Sequence, residues 1–185
     1  GHIITKQGYD ARTGLYLHAT SEVYPVPEHI TTDHVKDAYR LIMDVLNTFS
    51  LQPHDKLSRS VALSAMMTTV VRPSMNVSPI FGFTAPVQGT GKSMLTNCIC
   101  LLGSGKVAPM TTAPKNNESE LKKILLANLI RGASHIVFDN ITGVFDSESL
   151  ASFTTTPLWQ DRILNHSEIV SLPNKSMVIL NGNTL

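Results

Sequence analysis

The stretch Ile80-Phe81-Gly82-Phe83-Thr84-Ala85-Pro86-Val87-Gln88-Gly89-Thr90-Gly91-Lys92-Ser93 constrains the fold more than any other part of the chain. It runs from an apolar strand through a glycine-rich turn into the start of a helix, which Met94 to Leu102 can continue. That order is the layout of a phosphate-binding loop of the Walker A kind. Glycines let the backbone curl so that successive N–H groups converge on one anion, and the following helix aims its positive end at the same point. Within the segment Gln88 to Met94 the cradle rests on Gly89, Thr90 and Gly91. Lys92 is placed to reach β- and γ-phosphate oxygens, and Ser93 offers a hydroxyl to Mg²⁺. The motif's first glycine is replaced by Pro86, which has no N–H and a fixed φ, so the loop must enter its curl differently.

Three further strand ends matter, because ligands of open α/β sheets sit outside the carboxyl ends of strands. Residues 106–112 read as a second strand, which Pro109 demotes to an edge or an early bend. His135-Ile136-Val137-Phe138-Asp139 reads as a strand buried on both faces, and Asp139 at its end has the Walker B position, where a carboxylate holds Mg²⁺. The alternative role for Asp139 is to cap the next turn. Met177-Val178-Ile179-Leu180 is the next apolar strand, and Asn181-Gly182-Asn183 follows it, either as a plain turn or as an amide beside the phosphates. Asn140 stands where many ATPases carry a glutamate. An amide orients a water but cannot take its proton. Either Asn140 positions the water, or another acid such as Asp146 or Glu148 serves as the base.

Strands alternating with helices predict an α/β fold: a mostly parallel P-loop NTPase sheet with helices on both faces. Ahead of it, residues 1–54 read as a hairpin over 3–17, a proline-containing connector and a helix, with the core spanning 55–185. In the hairpin, Ile3-Ile4-Thr5 and Leu15-Tyr16-Leu17 flank a turn-rich stretch. Thr32 or Asp33 caps the first helix, whose apolar face is Val35, Ala38, Tyr39, Ile42, Leu46 and Phe49. A second helix over 55–71 presents Leu57, Val61, Ala65 and Thr68, with Met66 and Met67 as core filling. Asn116 or Asn117 caps a helix bearing Leu121, Ile124, Leu125 and Leu129, and 147–155 form a shorter one. Residues 162–171 read as a hairpin around Asn165-His166-Ser167, with Trp159 in the core.

Composition excludes several classes. Apolar residues make up 42% and charged ones 16%, which is globular rather than disordered. The net charge of +1 advertises no general affinity for nucleic acid, so any such binding must be local. Cys98 and Cys100, two apart within one helix, read as small core residues rather than a disulfide or metal pair, which predicts a reducing, cytoplasmic setting. No apolar run is long enough to span a bilayer, so no membrane partner is expected. A chain that opens Gly1-His2 and stops just after an apolar strand is expected to be a piece of a larger protein.

Taken together, Ala85 to Ser93, Phe138-Asp139-Asn140, Leu158 to Leu164, Leu172-Pro173-Asn174 and Asn181-Gly182-Asn183 resemble the AAA+ ATPase domain of phage- and plasmid-type replication proteins, akin to superfamily 3 helicases and often fused to a primase. The resemblance covers about residues 72–185. It implies ATP and Mg²⁺ as cofactors, and a ring, commonly a hexamer, that moves along single-stranded DNA. Lys92 and Ser93 match motif A, Asp139 matches motif B, and Asn183, with Asn181 as the alternative, matches the sensor asparagine of motif C. Arg162 falls where the family shows an arginine after a tryptophan. It would act in trans on a neighbour's nucleotide, or else pair with Asp161 or another acid. The family's pore hairpin corresponds to Ile163 to Val170, with His166 at its tip and Lys175 following as candidate DNA contacts. A fifth strand and a helical lid are expected beyond Leu185, so this fragment alone should bind nucleotide weakly. Two other readings of the loop are a nucleotide-dependent assembly switch with little hydrolysis, and a small-molecule kinase. The kinase needs a lid with several arginines, and only Arg131 and Arg162 follow Lys92.

Overall fold

A computed structural model describes residues 4–18, 26–51, 56–87, 89–115, 117–163 and 168–183. The chain divides into two compact units, residues 1–41 and 42–185, so the division falls inside a helix rather than at 54/55. The first unit holds a two-stranded antiparallel hairpin, β1 (Gly8–Asp10) and β2 (Leu15–Leu17). Its strands lie closer together than the sequence pattern implies, because Asp10 closes the turn itself: its carboxylate accepts from Thr13 N–H at 2.9 Å and Thr13 Oγ1 at 2.6 Å.

Helix α1 (Thr32–Asn47) crosses the division. Its cap is Thr31, whose Oγ1 accepts from His34 N–H at 3.3 Å, one residue earlier than expected. Of the predicted apolar face only the carboxyl end is used. Val35 and Tyr39 are exposed and Leu46 is fully buried. In the second unit follow α2 (Lys56–Val71), a single 3-10 turn at Arg72–Ser74, β3 (Phe81–Thr84), α3 (Lys92–Ser104), β4 (Met110–Thr112) and α4 (Glu118–Ile130). Then come β5 (His135–Thr142), α5 (Glu148–Thr155), β6 (Leu158–Arg162), β7 (Ile169–Pro173) and β8 (Met177–Asn183). Asn117 caps α4 through its side chain, which accepts from Glu120 N–H, and Ser147 caps α5 in the same way on Leu150 N–H.

Four strands form one parallel sheet in the order β3-β8-β5-β4. The strand carrying Pro109 in its approach, β4, lies at an edge, where a missing N–H costs no ladder bond. Each face of the sheet has its own core. Phe81, Phe83, Val137, Met177 and Ile179 pack against Ala62, Ala65 and Met66 of α2 and Leu95, Ile99 and Cys100 of α3. Ile136, Phe138, Ile141 and Val178 pack on the other side against Leu121, Leu125 and Leu129 of α4, Leu150 and Phe153 of α5, and Trp159. The strict alternation of Ile136, Val137, Phe138 between the two clusters is the signature of a strand buried on both faces.

Two side chains differ from the expected pattern on α2. Met66 is buried, as predicted, but Met67 points to solvent, and Leu57 is 69% exposed. The buried stripe instead runs through Ala62, Ala65, Met66, Thr68 and Thr69, because small residues and hydroxyls let α2 approach α3 closely. Gly103 marks the contact: a Cβ there would fall 1.9 Å from Thr69 Oγ1. Trp159 is buried and meets Phe153 edge-on at 5.1 Å between ring centroids. Cys100 is buried and Cys98 partly so, and neither forms a disulfide.

The amino end of the sheet is tied by a buried cation. Arg72 is 3% exposed and donates to the carbonyls of Ser176 at 2.9 Å, Asn174 at 2.8 Å and Met75 at 3.0 Å. Burial among carbonyls holds its pKa below the usual arginine value. The Asn174 amide in turn donates to Phe153 O. The segment Leu172-Pro173-Asn174 thus serves as a tether between layers.

Candidate functional site at the carboxyl ends of the sheet

The phosphate-loop segment leaves β3 at Thr84, and Ala85 N–H donates to Gly182 O at 3.4 Å. Gly89 has φ 78° and Gly91 φ 88°, both left-handed, where a Cβ is unfavourable. Gly91 is the N-cap of α3 and brings no capping side chain, so the first N–H groups of the helix stay directed at the loop. Gly91 is also shielded on one side, since a Cβ there would lie 3.4 Å from the ring of Phe49. Lys92 opens the helix. Its ammonium donates to Asn183 Oδ1 at 2.9 Å, Val87 O at 3.3 Å and Thr90 Oγ1 at 3.4 Å, which engages all three of its protons. Ser93 is half-buried at the second helical position. Met94 is 67% exposed, so its part in any cradle is its backbone N–H. Pro86 is exposed, and Gln88 lies outside the described residues.

Facing this helix, β8 changes character along its length. Met177 and Ile179 belong to the apolar core, and the next two residues on the same face are Asn181 and Asn183. Both are strand residues rather than a turn, because Gly182 between them pairs with Thr84 of β3 and Ile141 of β5. A two-rung polar ladder joins helix and strand. Lys92 and Thr96, one helical turn apart, hydrogen-bond Asn183 and Asn181, two strand residues apart. The Thr96–Asn181 bond is 2.9 Å, and both side chains are fully buried.

On the far side of β8, the pairing with β5 slips. Phe138 pairs with Leu180 and Ile141 with Gly182, so Asp139 and Asn140 together oppose the single residue Asn181. This is a β-bulge, and bulges commonly re-aim side chains at sites. Val137 packs on the α3 side, and Phe138 and Ile141, on either side of the bulge, both pack on the α4 side, so the strand's alternation breaks at Asp139 and Asn140. Asn140 takes φ 60°, the one left-handed residue other than glycine among the described residues. Asparagine tolerates that region far better than glutamate. The backbone of the bulge therefore accounts for asparagine at 140 without any reference to chemistry.

A cavity of about 240 Å³ adjoins the loop. Its walls include Phe49, Leu51, Leu57, Val61 and Leu95, and it opens onto Thr90, Gly91 and Lys92. The recess is apolar and partly aromatic and lies beside the glycine-rich loop. Nothing in the periodicity of the sequence pointed to Phe49 as a wall of this site, because it reads as the last residue of an amphipathic face.

Other candidates lie elsewhere. Arg162 ends β6 and lines a separate groove against α4, with Lys122, Lys123 and Asp161. Its own backbone N–H donates to Asp161 Oδ1 at 2.8 Å. Lys175 sits just before the amino end of β8 and donates to Met75 O at 2.9 Å, with the whole strand, about 20 Å at ~3.3 Å per residue, between it and Asn183. His166 lies outside the described residues, as does the tip of the hairpin formed by β6 and β7. Glu148 belongs to α5, which packs on the opposite face from α3, and Asp146 is exposed in the loop before it. Among the described residues no group of three His, Cys, Asp or Glu side chains gathers around a point. No helix of the described residues is long and apolar enough to cross a membrane. No family model, curated protein or solved structure matches the chain.

Proposed function

We propose that this chain carries the ATP-binding and hydrolysing motor domain of a replicative DNA helicase akin to superfamily 3, working as a ring on single-stranded DNA. The observation that carries the reading is the convergence at one end of the sheet. A glycine loop with two left-handed glycines leads into Lys92, which is bonded to Asn183 at the end of β8, and Asp139 stands in the bulge of the neighbouring strand β5. The ring and the DNA rest on the motif resemblance of residues 72–185.

The donor set suits Mg²⁺. Ser93 and Asp139 offer a hydroxyl and a carboxylate, both hard oxygen ligands, and Mg²⁺ is ordinarily held by one or two such groups together with substrate phosphates. When bound, the metal would neutralise charge on the β- and γ-phosphate oxygens. The chain's own groups do the rest. The loop N–H groups and the start of α3 hold the phosphates. Lys92 exchanges its bonds to Val87 and Thr90 for phosphate oxygens. Asn183, already bonded to that ammonium, keeps it directed along the sheet end. The recess beside Phe49 takes the base.

A second reading is favoured by Asn140. With no acid after Asp139, the site suits a nucleotide-dependent assembly switch that turns over little. The test is ATP turnover by the wild type and Lys92→Ala, with and without single-stranded DNA. The motor predicts DNA-stimulated turnover that falls at least about a hundredfold in the variant. Equal turnover with and without DNA overturns the motor. Tight ATP binding with negligible turnover on DNA establishes the switch instead.

A further inference from the structure

The amino end of the sheet carries a concave surface of its own. Helices α2, α3 and α4 all end beside the starts of β5 and β8, and two cavities of about 290 Å³ and 400 Å³ open among those ends. They adjoin, sharing Gly132, Ala133 and Ser134 of the turn from α4 into β5. Arg72 and Lys175 line the first and Lys106 and Arg131 the second, and no Asp or Glu lines either. None of these four cations forms an ion pair with a carboxylate among the described residues.

Helix ends account for part of this charge. The carboxyl end of a helix carries roughly half a negative charge, so three ends draw about −1.5, and four cations exceed that by about 2.5. Arg72 is spent on the fold, buried with its donors on three backbone carbonyls. Lys106, Arg131 and Lys175 are exposed. Lys175 gives one of its three protons to Met75 O, and among the described residues no side-chain hydrogen bond engages Lys106 or Arg131. No Phe, Tyr or Trp lines either cavity, and a Cβ on Gly132 would meet nothing within 4 Å, so the shared turn lies open.

We propose that this surface binds the phosphodiester backbone of a single nucleic-acid strand through Lys106, Arg131 and Lys175. The cations divide between two cavities that meet at one turn, which suits consecutive phosphates rather than a lone anion. With no aromatic ring for a base to stack on, the strand is held by its phosphates alone. The surface is distinct from the tip of the β6–β7 hairpin, because all of β7 and Asn174 separate that tip from Lys175. That the polyanion is a nucleic-acid strand rests on the motor reading above, whereas the excess of positive charge does not.

Fluorescence anisotropy of a labelled single-stranded oligonucleotide, without ATP or Mg²⁺, tests this on three proteins: wild type, the triple variant Lys106→Gln, Arg131→Gln and Lys175→Gln, and a control, Lys122→Gln with Lys123→Gln, from the groove against α4. All five side chains are exposed, and equal urea midpoints check that the variants fold. Wild-type affinity is expected to fall with salt at a log–log slope of about −2, from three phosphates at ~0.7 each. The triple variant should bind at least about tenfold more weakly at 100 mM salt and lose most of that slope, while the control binds as wild type. If the triple variant folds poorly, the single variants carry the test, each lowering the slope by ~0.7. Unchanged affinity and slope in the variants, an equal loss in the control, or no binding by the wild type overturns the proposal. Displacement of the strand by poly-glutamate at equal charge also overturns it and makes an acidic protein segment the partner. The motor is judged separately by turnover: DNA-stimulated turnover beside an unaffected triple variant refutes this surface and leaves the motor standing.

Discussion

Gly103→Ala is the most informative perturbation of the scaffold. In an ordinary helix this change stabilises by roughly 0.5–1 kcal/mol, because alanine has the higher helix propensity. Here the new Cβ would sit 1.9 Å from Thr69 Oγ1, 3.0 Å from its Cβ and 3.1 Å from its Cγ2. The hydroxyl cannot simply rotate away without loss, since it is hydrogen-bonded to the buried His135 Nε2 on β5. Either α3 moves off α2, at the cost of overpacking, about 1–3 kcal/mol, or Thr69 turns and leaves a buried imidazole nitrogen unpaired, about 1–3 kcal/mol. Subtracting the propensity gain leaves a net loss of about 0–2.5 kcal/mol for either route, and more if both occur. Urea unfolding of the wild type and variant, read from the midpoint at unchanged slope, measures it. The mechanism also predicts non-additivity. In a Thr69→Ala background the hydroxyl is gone, so Gly103→Ala should cost at least 1 kcal/mol less than it does alone. A variant more stable than wild type, or strictly additive costs, would refute the close approach of α2 and α3.

Three further outcomes follow from the same structure. Burial lowers the pKa of His135 below its ordinary 6.5, so between that folded value and 6.5 the unfolded chain binds more protons. Stability should therefore be complete above about pH 6.5 and decline as pH falls, by up to about 1.4 kcal/mol per unit, and His135→Asn should flatten that decline in unfolding curves taken from pH 8 to 5. Glu118, held below its ordinary value by hydrogen bonds from Ser149 and Ser147 at the start of α5, adds a loss only below about pH 4.5, which Glu118→Gln removes. At the bulge, Asn140→Gly should leave the protein as stable as wild type or more so, whereas Asn140→Glu should cost about 1 kcal/mol from the left-handed backbone. A stable Asn140→Glu with raised ATP turnover would show that chemistry, not backbone conformation, holds asparagine there.

Much of the architecture was legible because it depends on local signals. The continuous apolar run of β5, the edge strand after Pro109, and the cap at Asn117 each follow from a few adjacent residues. What escaped depends on contacts between distant segments. Asn181-Gly182-Asn183 carries the local chemistry of a turn, yet it stays extended because Gly182 has strand partners on both sides. The face of α1 is amphipathic along its whole length, but only tertiary packing decides that Leu46 is buried and Val35 is not. Of the candidate site, the strand–turn–helix order around Gly89 to Lys92 and the strand ending near Asp139 were readable from local pattern. Thr96 was not, because a threonine inside an apolar helix gives no sign that its hydroxyl meets an amide on a strand 85 residues later. Phe49 was equally hidden, as a residue of the helix pattern that turns out to wall a cavity.

The two ends of the sheet show why the site sits where it does. At the amino end, the buried polar groups are consumed by the fold: Arg72 by three backbone carbonyls, Asn174 by Phe153 O, and His135 by Thr69. Lys175 is bound there to Met75 O, on the far side of the molecule from the phosphate loop. At the carboxyl end the accounting differs. The Lys92 ammonium spreads over weak acceptors of its own loop, Asn181 keeps an unmatched donor, and the bulge at Asp139 and Asn140 breaks the ladder where regular pairing would have been cheaper. Buried polar groups are thus matched within the fold at the amino end, while an unmatched donor and a break in the ladder gather at the carboxyl end. It is the register of β8, with Gly182 paired to both Thr84 of β3 and Ile141 of β5, that keeps Asn181 and Asn183 extended on the face of Lys92 and Thr96.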